Sequence, residues 1–192
     1  MKFNHLHRRF FAFGDLFAPS LGEYYDSPLL AIECVFFEPS TGRIGPQYYR
    51  AVDLSRAENI DPAAVIELLK EDSHQRAEIV NASCSEFDAI ALFFDFIRQN
   101  TDQHCDPSFW SKRPALVSQW LIHTSRRHKL GSFFVPYLPC CLSTLISVAG
   151  VTGYTPHPRR SSASYMLTDA FYQAEQVCEI WQRLTSPHLE SL

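Results

Sequence analysis

The stretch Ser27–Ile79, SPLLAIECVFFEPSTGRIGPQYYRAVDLSRAENIDPAAVIELLKEDSHQRAEI, decides how this 192-residue chain is read. Its first part, Leu29–Glu38, is a β-branched and aromatic run interrupted only by Glu33. Ser27-Pro28 and Pro39-Ser40-Thr41-Gly42 bound it, so it reads as a strand between turns. Pro39–Gly42 then makes a hairpin turn, and Gln47–Val52 is expected to return as an antiparallel partner. Asp61-Pro62 places an N-cap before a proline at the first helical position, and Ala63–Lys70 follows with Val65, Leu68 and Leu69 on one face.

Upstream, Phe10–Asp15 reads as a short strand closed by Gly14 and the turn-rich Ala18–Gly22. Downstream, Ser85 is a good cap for a helix over Glu86–Arg98, where Phe87, Ile90, Ala91, Phe94 and Ile97 recur at helical spacing. Pro114–His123 is a third helix, Leu142–Val148 fits either strand or helix, and Gly150–Arg160 is loop. The final helix is capped by Ser164 or Thr168. Its apolar stripe runs through Leu167, Phe171, Ala174, Trp181 and Leu184. Strands first and helices after them imply an α/β fold: a single domain over residues 1–192, core about 10–185, with helices packed on a mixed sheet.

Composition narrows the function classes. Apolar residues make up 46% and charged ones 20%, ordinary for a globular chain. No run of 18 apolar residues is present, so no membrane partner is expected, and the cytoplasm is the expected compartment. The six cysteines do not form a disulfide framework at this length, and adjacent Cys140-Cys141 lack C-x-x-C spacing. His104, His123, His128 and His157 show no paired metal spacing.

Charge is distributed unevenly. No Asp or Glu occurs between Pro107 and Thr168, while that span holds Lys112, Arg113, Arg126, Arg127, Lys129, Arg159 and Arg160. Such a split either presents a basic face to a polyanion or pairs with the chain's own acidic part or a second subunit. The heavy load of 15 Phe, 8 Tyr and 3 Trp serves a core or an interface, with base stacking as the alternative.

The Ser27–Ile79 stretch resembles the 3′–5′ exonucleases of the ribonuclease H-like fold related to polymerase proofreading subunits, in particular their compact RecE-like branch. There a strand of the form ILSIGAVFF precedes a turn, FYRAVDL, ID and a helix. Leu167–Leu184, LTDAFYQAEQVCEIWQRL, is similar to that branch's closing pattern LDDARYQAxxxxxIWxxL. The resemblance implies two divalent metals, Mg²⁺ or Mn²⁺, held by four carboxylates, with a histidine as general base. Carried over residue by residue, the set is depleted. Asp15 matches the aspartate of the DLET motif, but Phe17 stands at its glutamate. Val117 stands at the aspartate of WGNGASFDNVIL, with Asp106 the nearest acid. Asp169 matches the last aspartate of HNALDDA, and Ser164 replaces its histidine.

Asp15 and Asp169 are therefore the expected remnants of a metal site, and Glu33 is a substitute carboxylate or an arginine partner. The expected function is a degenerate exonuclease without cofactor that binds single-stranded DNA, RNA or a protein. Lys112, Arg113, Arg126, Arg127 and Lys129 are the candidate phosphate contacts. The alternatives are an active exonuclease rebuilt on Asp15, Glu33, Asp106 and Asp169 with Mg²⁺ or Mn²⁺, and a homo-oligomeric scaffold such as a homodimer.

Overall fold

The computed structural model describes residues 10–13, 28–57, 60, 62–70, 73–101, 108–131, 138–158 and 168–185. In chain order these form β1 (Phe10–Phe13), β2 (Ala31–Glu38), β3 (Arg43–Ala51), α1 (Pro62–Lys70), α2 (Ser73–Val80) and α3 (Glu86–Asn100). There follow β4 (Ser108–Ser111), α4 (Pro114–Arg127), β5 (Leu138–Cys141), α5 (Leu142–Gly150) and α6 (Thr168–Thr185). The strands make one mixed sheet in the order β3-β2-β1-β4-β5. β2 is antiparallel to both β1 and β3, whereas β4 is parallel to β1 and β5.

β2 is an interior strand, paired on both edges, and its run is apolar on both faces. Ile32, Cys34 and Phe36 point to one side and pack with Ile90, Phe93 and Ile97 of α3 and Trp120 and Leu121 of α4. Val35 and Phe37 point to the other and pack with Ala170, Ala174 and Val177 of α6 and Leu142 of α5. The alternation of successive strand residues thus yields helices on both faces of the sheet. Tyr48 joins the first cluster, its ring 5.5 Å from that of Phe93, and its phenol donates to Ala89 O at 2.5 Å. Burial pushes that phenol's pKa up, with Arg50 acting against the shift.

The hairpin turn lies where the sequence puts it. Thr41 N–H and Gly42 N–H donate to Glu38 O, and Gly42 takes a φ of 72°. The returning strand starts earlier than expected, at Arg43. Gly45-Pro46 is absorbed by a register shift between Val35 and Phe37. β3 is an edge strand, where a missing N–H is tolerated. The C-terminal half of α6 docks on this turn, with Gln182 Nε2 donating to Pro39 O at 3.1 Å. Among the described residues no helix is long and apolar enough to cross a membrane.

Candidate functional site

The strand directions define one end of the sheet. Phe13 lies opposite Cys34, Ala31 opposite Ala51, and Ser111 beside Cys141. The chain therefore leaves β1, β3, β4 and β5 and enters β2 at the same end. Crevices outside the carboxyl ends of parallel strands are where α/β sheets place ligands.

At that end β4 runs into the turn Lys112-Arg113 and then α4, whose N-terminus has Pro114 and no side-chain cap. The turn is tethered on every side. Lys112 N–H donates to Gln173 Oε1 at 3.1 Å, Ser143 Oγ donates to Lys112 O at 3.1 Å, and Arg113 N–H donates to Ser111 Oγ at 3.1 Å. Lys112 Nζ sits 5.5 Å from the centre of the Tyr172 ring, a cation–π distance. Gln173 is fully buried on α6, one turn after Asp169, so Asp169 and the basic turn are joined through the same helix. Asp169 is half-buried in the first turn of α6 and is engaged by neighbours.

Val117 occupies the first turn of α4, 1% exposed, in the apolar cluster with Leu29, Ile32, Trp120 and Leu121. Glu33 is half-buried on the α6 side of β2, opposite Tyr49. Burial raises the Tyr49 phenol, and the carboxylates of Glu78 and Glu33 add to the shift. Tyr49 donates to Glu78 Oε2 at 3.0 Å. Asp15, Phe17, Asp106 and Ser164 lie outside the described residues. Among the described residues no three His, Cys, Asp or Glu side chains are grouped so as to hold a metal ion. Mg²⁺ or Mn²⁺ needs several hard oxygen donors around one point. The described donors do not fit a metal pair.

The basic residues divide into two groups. Lys112 and Arg113 lie before the N-terminus of α4. Arg126, Arg127 and Lys129 lie at its C-terminus, about 20 Å away along a 14-residue helix. Arg127 is committed to an acid: its Nη2 and Nε donate to Glu86 Oε1 at 2.7 Å and Oε2 at 3.1 Å. His128 Nε2 lies 2.7 Å from Glu86 Oε2, and Leu29 N–H donates to Glu86 Oε1 at 2.9 Å. Sequence reasoning did not find this convergence, because its members are 41 to 57 positions apart. Gln173 was also missed, although it stands within the YQA of the closing pattern.

A mixed sheet in this order, with helices on both faces and a carboxylate-bearing helix closing it, defines a ribonuclease H-like fold of the 3′–5′ exonuclease type. The solved structure of cell-death related nuclease 4 (CRN-4) superposes with a TM-score of 0.62 at 12% identity, over 91% of this chain and 62% of that one. The nuclease domain of 3′hExo bound to rAMP gives 0.59 at 10% identity, covering 93% and 92%. The RNase domain of the yeast Pop2 protein gives 0.59 at 12%, covering 93% and 77%. No curated protein matches the sequence. Residues 20–181 match the Rv2179c-like family, described as the 3′-5′ exoribonuclease Rv2179c-like domain, and the chain belongs to that family.

Proposed function

We propose that this chain is a degenerate member of its exonuclease family that binds single-stranded nucleic acid in the cytoplasm without hydrolysing it by the two-metal route. The observation that carries this reading is Val117. It stands where the resemblance expects a carboxylate, and it is buried among Leu29, Ile32, Trp120 and Leu121. No small rotation brings an acid there, because Pro107–Thr168 contains none. Ser164 in place of the histidine removes the base as well, since a serine hydroxyl does not accept a proton near pH 7.

Binding uses the cations that the same span supplies. Lys112 and Arg113 are held at the carboxyl end of β4, where the uncapped start of α4 adds a favourable dipole. Arg126 and Lys129 are exposed at the other end of α4 and make no side-chain hydrogen bond or ion pair among the described residues. No bound metal is required for phosphate attraction of this kind.

The test is a 3′-end-labelled single-stranded RNA and DNA assay with Mn²⁺ or Mg²⁺. It compares the wild type with Asp15→Ala/Asp169→Ala and follows uncut complex in parallel. Intact substrate in a salt-sensitive complex is expected. Metal-dependent shortening lost in the double variant would overturn the reading and establish a working metal site that includes Asp15 or Asp169. Neither cleavage nor binding would direct attention to a protein partner or a homodimer.

A further inference from the structure

A cavity of about 530 Å³ lies where the N-terminus of α3, the C-terminus of α4 and the loop after β3 meet. Its size suits a small organic group. Glu86 is part of its wall, and all four of its lone-pair directions are occupied by Leu29 N–H, two Arg127 donors and His128. A carboxylate so saturated offers little repulsion to an anion. The other acid of the lining, Asp53, accepts the Ser55 N–H at 2.8 Å.

A third carboxylate, Asp88, accepts from the lining Ser85 Oγ at 2.6 Å, so the acids of this corner are each hydrogen-bonded, and the cations stand against them. Arg56 lines the cavity, exposed, with no side-chain hydrogen bond or ion pair among the described residues and with Asp53 near enough to feel its charge. Arg126 and Lys129 flank the lining residues Arg127 and His128. Phe87, in the first turn of α3, also lines the cavity and leaves 44% of its surface exposed. Its ring meets that of His128 edge-on at 5.9 Å, which holds it in place at the cavity wall. An exposed aromatic face next to uncommitted guanidinium and ammonium groups is the chemistry that receives unstacked bases of a single strand. An apolar core contact would have no use for either.

We propose that this corner is a subsite for one unstacked nucleotide of a single-stranded nucleic acid. The base lies against Phe87, its phosphate meets Arg56, and Arg126 and Lys129 follow the backbone past the cavity. The proposal rests on the nucleic-acid-binding reading above, and it places a contact about 20 Å from Lys112 and Arg113 along α4.

The experiment titrates wild-type protein, in EDTA, into fluorescein-labelled 12-nucleotide RNA and DNA carrying 2-aminopurine. Phe87→Ala, Phe87→Trp, Arg56→Gln and Lys112→Gln/Arg113→Gln are titrated alongside, with far-UV circular dichroism to check folding. Expected is quenching of 2-aminopurine by the wild type. Phe87→Ala loses that quenching and binds about 10-fold more weakly, while Phe87→Trp retains both. Arg56→Gln lowers the salt slope by about 0.7, as for one lost phosphate contact on a single strand. Wild-type binding that Phe87→Ala and Arg56→Gln leave unchanged, and that only Lys112→Gln/Arg113→Gln weakens, overturns the subsite and leaves the binding reading intact. No binding by the wild type overturns both.

Discussion

Restoring the expected carboxylate by Val117→Asp tests whether this fold still has room for a metal site. Val117 is 1% exposed and touches the cluster around Leu29, Ile32, Trp120 and Leu121. Removing its buried apolar side chain forfeits about 1.5–2 kcal/mol. Placing a carboxyl there adds about 1–3 kcal/mol if it stays protonated without a partner, and several if it ionises. The sum is at least about 2.5 kcal/mol, a large part of the 5–15 kcal/mol that holds a typical domain together. Urea denaturation followed by tryptophan fluorescence measures it, with Val117→Thr as a near-isosteric control expected to lose less. The sign with pH is also set. A carboxyl buried among apolar groups titrates above its unfolded value, so the variant's deficit is smallest in acid and grows as pH rises through the folded pKa. If Val117→Asp equals wild type within 1 kcal/mol at pH 7, or gains thermal stability on adding Mn²⁺, then the new carboxyl finds partners or water and burial does not exclude an acid here.

Three further outcomes follow from the same packing. Glu86→Ala strands Arg127, His128 and the Leu29 N–H together; with Arg127 a third exposed the loss is about 2–3 kcal/mol, and a double-mutant cycle with His128→Ala should show coupling above about 0.5 kcal/mol. Additive single-variant effects would refute the cluster. Gly42→Ala forces a β-carbon onto a φ of 72° and to within 3.2 Å of Gln182 Nε2, so it should lower the unfolding free energy by about 1–2 kcal/mol. Alkali should destabilise the fold: burial, with Glu175 and Glu179 adding to it, pushes the Cys178 thiol from 9.0 up to about 12. The native state then keeps a proton that the unfolded chain loses, so stability is full below about pH 9 and declines as pH rises toward 12. Cys178→Ser should flatten that decline in urea midpoints between pH 8 and 10.5, and an unchanged slope would count against it.

The elements legible in the sequence are those whose own residues carry the pattern. β2 is nearly uninterrupted apolar chain between two turns, and α3 announces itself through Ser85, whose hydroxyl accepts the Asp88 N–H at 3.0 Å. β4 and β5 escaped because four residues such as SFWS or LPCC hold too little periodicity. They are strands only through pairing with β1 and with each other. α2, Ser73–Val80, shows little apolar face, so its residues carry no helical signal of their own. Leu142–Gly150 settles as a helix burying Leu142 and Ala149, a choice its composition left open. α4 runs on past His123 to Arg127, where Arg126 and Arg127 suit the negative end of the helix dipole. The depletion of acids around the site was legible by simple counting. What Lys112 and Glu86 each bind was not, because both depend on partners more than 40 positions away.

Retention of Asp169 fits this picture without a metal. A carboxylate in the first turn of α6 meets unpaired N–H groups and the positive end of the dipole, worth about 0.3–1 kcal/mol at such a place. One turn further on, Gln173 uses its carbonyl to fix Lys112 at the carboxyl end of β4. The helix that in a catalytic relative would offer a metal ligand thus also orients a cation in this chain. A bare carboxylate cluster would repel phosphate, so a binding role without metal favours losing the acids at Val117 and Phe17 together. It equally favours keeping Asp169, whose charge is already answered by the helix start. Under the proposed binding role Asp169 serves the helix start, whereas a hydrolytic role would keep the same residue as a metal ligand, so the buried Val117 is what separates the two.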